Sequence, residues 1–124
     1  MKVLLSIKPE YADKIFSGEK YFEFRKAIFS DPKVDTVVVY ATMPVGKVIG
    51  EFKITQVHTG APADIWRMTE EGSGISREFF ADYFEGRKQA YAIEVGETTV
   101  FDIPKTLKEI LGRNTAPQSF AYLR

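Results

Sequence analysis

The sequence predicts a mainly β fold with short helices, an α+β domain in which a small mixed sheet curls into a barrel. Five or six short segments carry strand patterns, and three or four short helical segments lie between them. Few connections have the two residues of a tight hairpin. The helical segments are too short for the crossovers of a doubly wound parallel sheet. With 124 residues, the chain suits a single domain spanning residues 1–124.

The first two predicted elements are a strand and a short helix. Residues 2–7 form an apolar run that is typical of a buried strand. Pro9 stands where the first helical position would be, and Gly18 stands where a C-cap glycine would end a helix. The sequence therefore predicts a helix over residues 10–17.

The next predicted strand, residues 21–26, carries charges on one face. Its side chains alternate with a period of two, so Glu23 and Arg25 share one face. Phe22 and Phe24 share the other. One face can pack against the core while the opposite face contacts a ligand.

Two longer strands are predicted at residues 34–41 and 48–55. β-branched and aromatic residues dominate the first, as suits a central strand. The second alternates apolar and polar residues, so we expect one dry face. Gly50 within it suggests a bulge or the close approach of another backbone.

The second half of the chain begins with helical segments. Residues 61–68 can form a helical turn, and residues 69–74 look like a mobile acidic loop. Ser76 is a plausible N-cap for a helix over residues 77–85. Its four aromatic side chains, together with Trp66, are interpreted mainly as core.

The remaining predicted elements are two strands, a helix and a closing strand. The strands at residues 90–95 and 98–101 flank a Gly-Glu turn. A short helix over residues 104–111 ends at Gly112, and the last strand covers residues 120–123.

Composition limits the class of protein. Apolar residues make up 44% and charged residues 27%, which is the globular range. There is no cysteine, so disulfides, thiol nucleophiles and thiolate metal sites are excluded. The amino terminus lacks the features of a signal peptide, and no apolar stretch is long enough to span a membrane. We therefore expect a cytoplasmic protein with no membrane partner.

The charges cancel overall but are unevenly distributed. The net charge of zero argues against a protein that simply coats nucleic acid. Residues 1–53 and 103–124 carry a basic excess, whereas residues 64–102 are acidic. If the two ends lie side by side, a local basic patch can hold a short RNA or DNA segment.

Three stretches near the amino terminus resemble the signature of ASCH domains: residues 6–12, 15–20 and 23–26. ASCH domains belong to the PUA-like superfamily of small pseudobarrels. The resemblance implies a PUA-like mixed-sheet pseudobarrel flanked by helices, with RNA or a nucleotide as the partner. It also implies a ligand cleft between the barrel and the first helices.

The resemblance further implies a possible hydrolase acting on acylated or modified cytidine nucleosides or on RNA. The amidohydrolase branch of the family has a Lys at the position of Lys20, a Thr at that of Glu23, and a Glu in the loop before the aromatic helix. Here Glu23 replaces the Thr, and a carboxylate cannot stand in for a hydroxyl nucleophile without changing the chemistry.

The candidate ligand contacts combine cations, a carboxylate, a ring and small polar groups. Cations hold phosphates, a carboxylate accepts from a base amino group, and a ring can stack on a base. The candidates are Lys8, Lys20, Tyr21, Glu23, Arg25, Lys26, Gln118 and Ser119. If the protein is an enzyme, we expect Lys20 to act as base or as electrostatic stabiliser, with Glu23 or Glu71 as its acid–base partner.

Each charged candidate has a plainer interpretation. Lys8 and Lys20 can be solvated, and Glu23 and Arg25 can simply pair with each other in the sheet. His58 is the only histidine, and no metal motif or cofactor fingerprint appears, so we expect neither a metal nor a cofactor. A third hypothesis is a regulatory interaction domain that uses acidic residues in the 64–85 region as its partner surface.

Overall fold

The computed structural model describes all 124 residues, Met1–Arg124, as a six-stranded mixed sheet with four short helices. The strands are β1 (Lys2–Ile7), β2 (Phe22–Arg25), β3 (Thr36–Ala41), β4 (Lys47–Gly60), β5 (Ala90–Lys105) and β6 (Phe120–Leu123). The helices are α1 (Pro9–Ser17), α2 (Pro62–Thr69), α3 (Arg77–Tyr83) and α4 (Leu107–Leu111). None of these helices has the length and apolar character needed to cross a membrane.

The strands follow the order β2-β5-β4-β3-β1-β6. β1 and β3 pair in parallel, and every other neighbouring pair is antiparallel. The predicted mixed sheet is therefore confirmed. The order is linear, with β2 and β6 at the two edges, so backbone pairing does not close the sheet into a barrel.

The ends of two helices carry the predicted caps. Gly18 has the left-handed conformation, with φ of 84°, and its N–H bonds to the last turn of α1. The Ser76 hydroxyl accepts a hydrogen bond of 3.0 Å from the Phe79 N–H at the start of α3. These caps satisfy backbone groups that the helix interior leaves unpaired. Gly18 also turns the chain from α1 towards β2.

The central strands are buried on both faces. In β3, Val37 and Val39 pack on the side of α1, whereas Val38 and Tyr40 pack on the side that Leu107 of α4 covers. A parallel pair covered on both faces has a continuous apolar run rather than an alternating pattern. This explains the valine-rich sequence of β3. Pairing with the buried β3 also holds β1 in place, and the end of β1 leads into the candidate site.

An aromatic cluster holds α3 against β2. Phe24 of β2 contacts Phe80 edge-on, with ring centroids 5.2 Å apart, and Phe84 also packs on it. Trp66 of α2 packs against Phe80 at 5.0 Å. The core interpretation is confirmed for Phe80 and Phe84, and this packing positions the other face of α3 beside β2.

The structure corrects the prediction for the later strands. A single strand of 16 residues, β5, replaces the two strands predicted around the Gly-Glu turn, because its register shifts against the long β4 keep the pairing continuous. Pro104 lies in β5 rather than in a helix. β2 pairs only with residues 91–94 of β5, so Pro104 lies where β5 has a free edge and needs no N–H there.

Gly50 lies where two neighbours leave no room for a side chain. A Cβ atom there would come within 2.5 Å of the Thr99 carbonyl oxygen and 2.8 Å of Cζ of Phe16. The predicted close approach of another backbone is confirmed, and the register between β4 and β5 also shifts beside it. The close contact places Phe16 of α1 directly against β4.

Candidate functional site

A cleft of about 200 Å³ opens between α1, β2 and α3. It is smaller than the roughly 300–1,000 Å³ of pockets for drug-sized ligands, so it suits a small ligand or one part of a larger one. The residues that line the cleft are Ser6, Ile7, Lys8, Tyr11, Lys20, Glu23, Phe24, Arg25, Ile75, Phe79 and Tyr83. Aromatic rings and four charged side chains therefore share a small volume.

Lys20 lies at the inner end of the cleft and is almost completely buried, with 2% of its surface exposed. Its Nζ atom donates a hydrogen bond of 2.5 Å to the Ser73 carbonyl oxygen. The same atom lies 4.8 Å from the centroid of the Phe24 ring and 5.5 Å from that of Tyr11. The two rings and the carbonyl replace water around the ammonium group.

Burial lowers the pKa of Lys20 to about 8. The Glu23 carboxylate opposes this shift, and the positive charge of Lys14 adds to it. About a tenth of the lysine is then neutral at pH 7, because each pH unit below the pKa reduces the neutral fraction roughly tenfold. A lysine in this range can exchange a proton near neutral pH.

Glu23 is the second buried ionisable group of the cleft. Burial raises the pKa of its carboxyl group, while the charges of Arg25 and Lys20 and a hydrogen bond from Arg25 act against that rise. Its Oε2 atom accepts a hydrogen bond of 3.2 Å from Nη1 of Arg25. The cleft therefore holds a lysine with a lowered pKa and a carboxyl group with a raised pKa.

Arg25 joins the two edges of the sheet at the wall of the cleft. In addition to Glu23, its guanidinium group donates to the Ser6 carbonyl at 3.2 Å and to the Ser119 carbonyl at 2.7 Å. Ser6 belongs to β1, and Ser119 directly precedes β6. The guanidinium group predicted to hold a ligand phosphate is thus engaged by three acceptors of the protein itself.

The mouth of the cleft combines rings with cations. The Phe79 and Tyr83 rings are parallel within 11°, with centroids 6.4 Å apart. Nζ of Lys8 lies 6.0 Å from the Phe79 centroid, and Nζ of Lys26 lies 4.6 Å from the Tyr83 centroid. Both lysines are exposed, so their charges face solvent at the entrance.

The family model described as "ASCH domain" matches residues 5–99, which is most of the chain and contains every residue that lines the cleft. The chain belongs to the ASCH domain family. A crystal structure of ASCH from Zymomonas mobilis resembles this ASCH domain with a TM-score of 0.90 and 32% identity, covering 99% of this chain and 87% of that one.

Two curated proteins are also similar to this ASCH domain. The ASCH domain-containing ribonuclease of Zymomonas mobilis is 31% identical over 99% of this chain and 84% of its own length. The large ribosomal subunit protein uL22 of Ureaplasma parvum is 34% identical over 98% of this chain. The match covers only 39% of that ribosomal protein.

Several predicted contacts lie outside the cleft of this ASCH domain. The Tyr21 ring is 54% exposed and packs over Gly72. Glu71 and Gln118 are exposed and do not line the cleft. Ser119 contributes its backbone carbonyl rather than its hydroxyl group. The structure therefore brings together Lys8, Lys20, Glu23 and Arg25, with Lys26 at the entrance.

The sequence alone did not reveal the aromatic part of the cleft. The sequence predicts core positions for the rings of Phe79 and Tyr83, yet of the four rings only the neighbouring Phe80 and Phe84 are buried. Each pair is spaced by four residues, so the two pairs form adjacent stripes along α3 and its C-cap residue Phe84. A seven-residue helix with two such stripes signals that one of them faces a site rather than the core.

His58 takes no part in the cleft. Its Nε2 atom lies 2.8 Å from Oε1 of Glu94, and its ring packs edge-on against Phe22 at 5.9 Å. These contacts give the single histidine a structural role at the pairing of β4 with β5.

Proposed function

We propose that this ASCH domain binds single-stranded RNA and takes one nucleotide into the cleft. The observation that carries the proposal is the lining of the cleft, with the Phe79 and Tyr83 rings at the mouth and the Glu23 carboxyl inside. Base–aromatic stacking contributes about 1–3 kcal/mol per base, and a carboxylate can accept from a base amino group. The description of the Zymomonas relative as a ribonuclease supports RNA as the ligand.

The phosphate contacts would come from the two lysines at the entrance. Lys8 and Lys26 are exposed and have no acidic partner within 4.0 Å. Each phosphate that is neutralised on a single strand changes the slope of log affinity against log salt by about −0.7. Two such contacts predict a slope of about −1.4, a modest dependence that fits a protein with no net charge.

The proposal is tested by fluorescence anisotropy with a short labelled RNA over a series of salt concentrations. We expect Lys8→Ala and Lys26→Ala each to weaken binding and to reduce the slope by about 0.7. Lys33→Ala is the matched control, because Lys33 lies near Met1 at the opposite end of β1. Undetectable binding at low salt, or equal losses in the control, would refute the proposal.

A second candidate function is cleavage of the bound RNA. The observation that favours it is the pair of buried groups, Lys20 with a lowered pKa and Glu23 with a raised one. Neutral Lys20 would take the proton of the ribose 2′-hydroxyl, whose oxygen then forms a bond to phosphorus. The bond from phosphorus to the 5′-oxygen breaks, and protonated Glu23 supplies the proton to that leaving oxygen. The products are a 2′,3′-cyclic phosphate and a 5′-hydroxyl.

This mechanism predicts a bell-shaped pH profile. The neutral fraction of Lys20 increases as the pH rises towards about 8, whereas the protonated fraction of Glu23 decreases. Gel analysis of a short RNA should show cleavage that is lost in Lys20→Met, since Met keeps the packing but not the amine. An RNA with a 2′-deoxy residue at the cleavage site should bind and remain intact. Cleavage that persists in Lys20→Met would exclude the role of the lysine as base.

A second assay separates RNA cleavage from hydrolysis of an acylated nucleoside. The ASCH resemblance implies the latter activity for some members, but position 23 holds a buried, Arg-paired Glu instead of a Thr. N4-acetylcytidine is therefore incubated with the wild type and with Lys20→Met. Release of cytidine by the wild type alone would favour the nucleoside hydrolase over the ribonuclease if RNA remains intact.

A further inference from the structure

The 70–75 segment, between α2 and α3, lies across the buried lysine of the cleft. Three consecutive carbonyl groups of this segment each accept a hydrogen bond from the second half of α1 or from the turn between α1 and β2. The pairs are Tyr21 N to Gly72 O at 2.7 Å, Lys20 Nζ to Ser73 O at 2.5 Å, and Lys14 Nζ to Gly74 O at 3.1 Å. The sequence predicts a mobile loop here, whereas these contacts fasten the segment along its length.

Two glycines allow the segment to approach this closely. Gly72 has φ of 84° and Gly74 has φ of 71°, a left-handed conformation that favours glycine. A Cβ atom at position 74 would come within 2.5 Å of Cγ of Lys20, and one at position 72 would collide with the Tyr21 ring. The backbone of the segment therefore covers the aliphatic stem of Lys20 directly.

Of the two lysine side chains that bond to this segment, Lys14 is the one that lies outside the cleft. Its Nζ atom has a single hydrogen-bond partner, the Gly74 carbonyl, and no carboxylate within 4.0 Å. The neighbouring Ile15 is buried against the sheet, so the position of Lys14 on α1 is fixed. The hydrogen bond to the Gly74 carbonyl is therefore the polar contact through which the Lys14 side chain can act on the segment.

We infer that Lys14 is a positioning residue for Lys20. By fastening the Gly74 carbonyl, it holds the 70–75 segment closed. The closed segment keeps the Ser73 carbonyl against Nζ of Lys20 and keeps water away from the lysine stem. The inference rests on the proposed function for any catalytic meaning, while the positioning itself can be measured without RNA.

The test follows Lys20 and the segment separately in the whole chain. The pKa of Lys20 is measured by ¹³C NMR of lysines labelled at Cε, with Lys20→Met to assign the signal. Hydrogen exchange of the Tyr21 amide reports whether the segment stays closed, since that amide donates to Gly72. The variants are Lys14→Met, the conservative Lys14→Arg, and Lys33→Met as a distant control.

In Lys14→Met we expect the pKa of Lys20 to rise from about 8 towards 10.5. Loss of the positive charge of Lys14 and entry of water around Lys20 both raise the pKa of Lys20. The Tyr21 amide should exchange roughly tenfold faster, the factor that corresponds to loss of one hydrogen bond from a charged donor. Lys14→Arg should restore the slow exchange, and Lys33→Met should change neither quantity.

Two results would overturn the inference. If the pKa rises while the exchange of the Tyr21 amide is unchanged, Lys14 acts through its charge alone and does not hold the segment. If neither quantity changes, Lys14 has no influence on Lys20. Absence of RNA binding in the wild type would refute the proposed function and leave both measurements interpretable.

Discussion

Replacing Arg25 by Met should destabilise the protein far more than removing an ordinary surface ion pair. The Arg25 and Glu23 side chains are only 13% and 8% exposed. Met keeps much of the aliphatic stem but leaves the Glu23 carboxylate without its cation. It also leaves the Ser6 and Ser119 carbonyls without their donor.

The expected loss is about 3–5 kcal/mol at pH 7, the typical cost of removing one partner from a buried pair. This is a large share of the roughly 5–15 kcal/mol that stabilises a small domain. With a urea dependence of about 1–3 kcal/mol per molar, the midpoint of unfolding should fall by roughly 2 M.

The loss should also depend on pH. Removing Arg25 takes away the largest influence that lowers the pKa of Glu23, so that pKa rises further above its ordinary 4.5. A carboxyl group with a raised pKa in the folded state destabilises the protein when it is ionised. The penalty is therefore present at neutral pH and is relieved as the pH falls towards 4.5.

Urea unfolding followed by the fluorescence of Trp66, the only tryptophan, measures both effects. Adding Glu23→Gln to Arg25→Met removes the buried charge and should recover part of the stability. Lys2→Met, which breaks the exposed 2.8 Å pair with Glu51, should cost less than about 1 kcal/mol. The reasoning is refuted if Arg25→Met costs no more than Lys2→Met, or if its cost is the same at pH 7 and pH 4.5.

Three further predictions concern packing, a helix cap and a titration. Gly50→Ala should lower the free energy of unfolding by about 1–3 kcal/mol, because its Cβ would press on Thr99 and Phe16. An unchanged midpoint of urea unfolding would show that this close contact is absent. Ser76→Ala should cost about 1 kcal/mol and Ser76→Asp much less, since Asp can still cap α3. Because folding lowers the pKa of Lys20 from 10.5 to about 8, wild-type stability should rise between pH 8 and 9.5; Lys20→Met should lack this rise.

Elements with strong local signals were predictable from the sequence. Pro9 and Gly18 mark the ends of α1, and Ser76 marks the start of α3, because each of these residues has a conformational or capping role that depends on near neighbours. The lengths of β4 and β5 were not predictable. Their pairing continues through register shifts, which leave only weak traces in the hydrophobic pattern.

The charged residues of the candidate site were also predictable from the sequence, but their contacts were not. Lys20, Glu23 and Arg25 stand together in the sequence, whereas the partners of Lys20 and Arg25 include carbonyl groups from distant segments. A backbone carbonyl has no residue preference, so the sequence gives no sign of it. Lys14 likewise resembles an ordinary solvated lysine in the sequence, because its partner is also a backbone carbonyl.

The position of β1 in the sheet has a consequence for the order of folding. β1 pairs with β3 on one side and with β6 on the other, so Lys2 pairs with both Thr36 and Leu123. Pairings between such distant parts of a chain form slowly, because the entropy of closing the loop is lost before the contacts form. The Ser119 carbonyl reaches Arg25 only when β6 is in place. We therefore expect the wall of the cleft to be completed late in folding, once β6 has paired with β1.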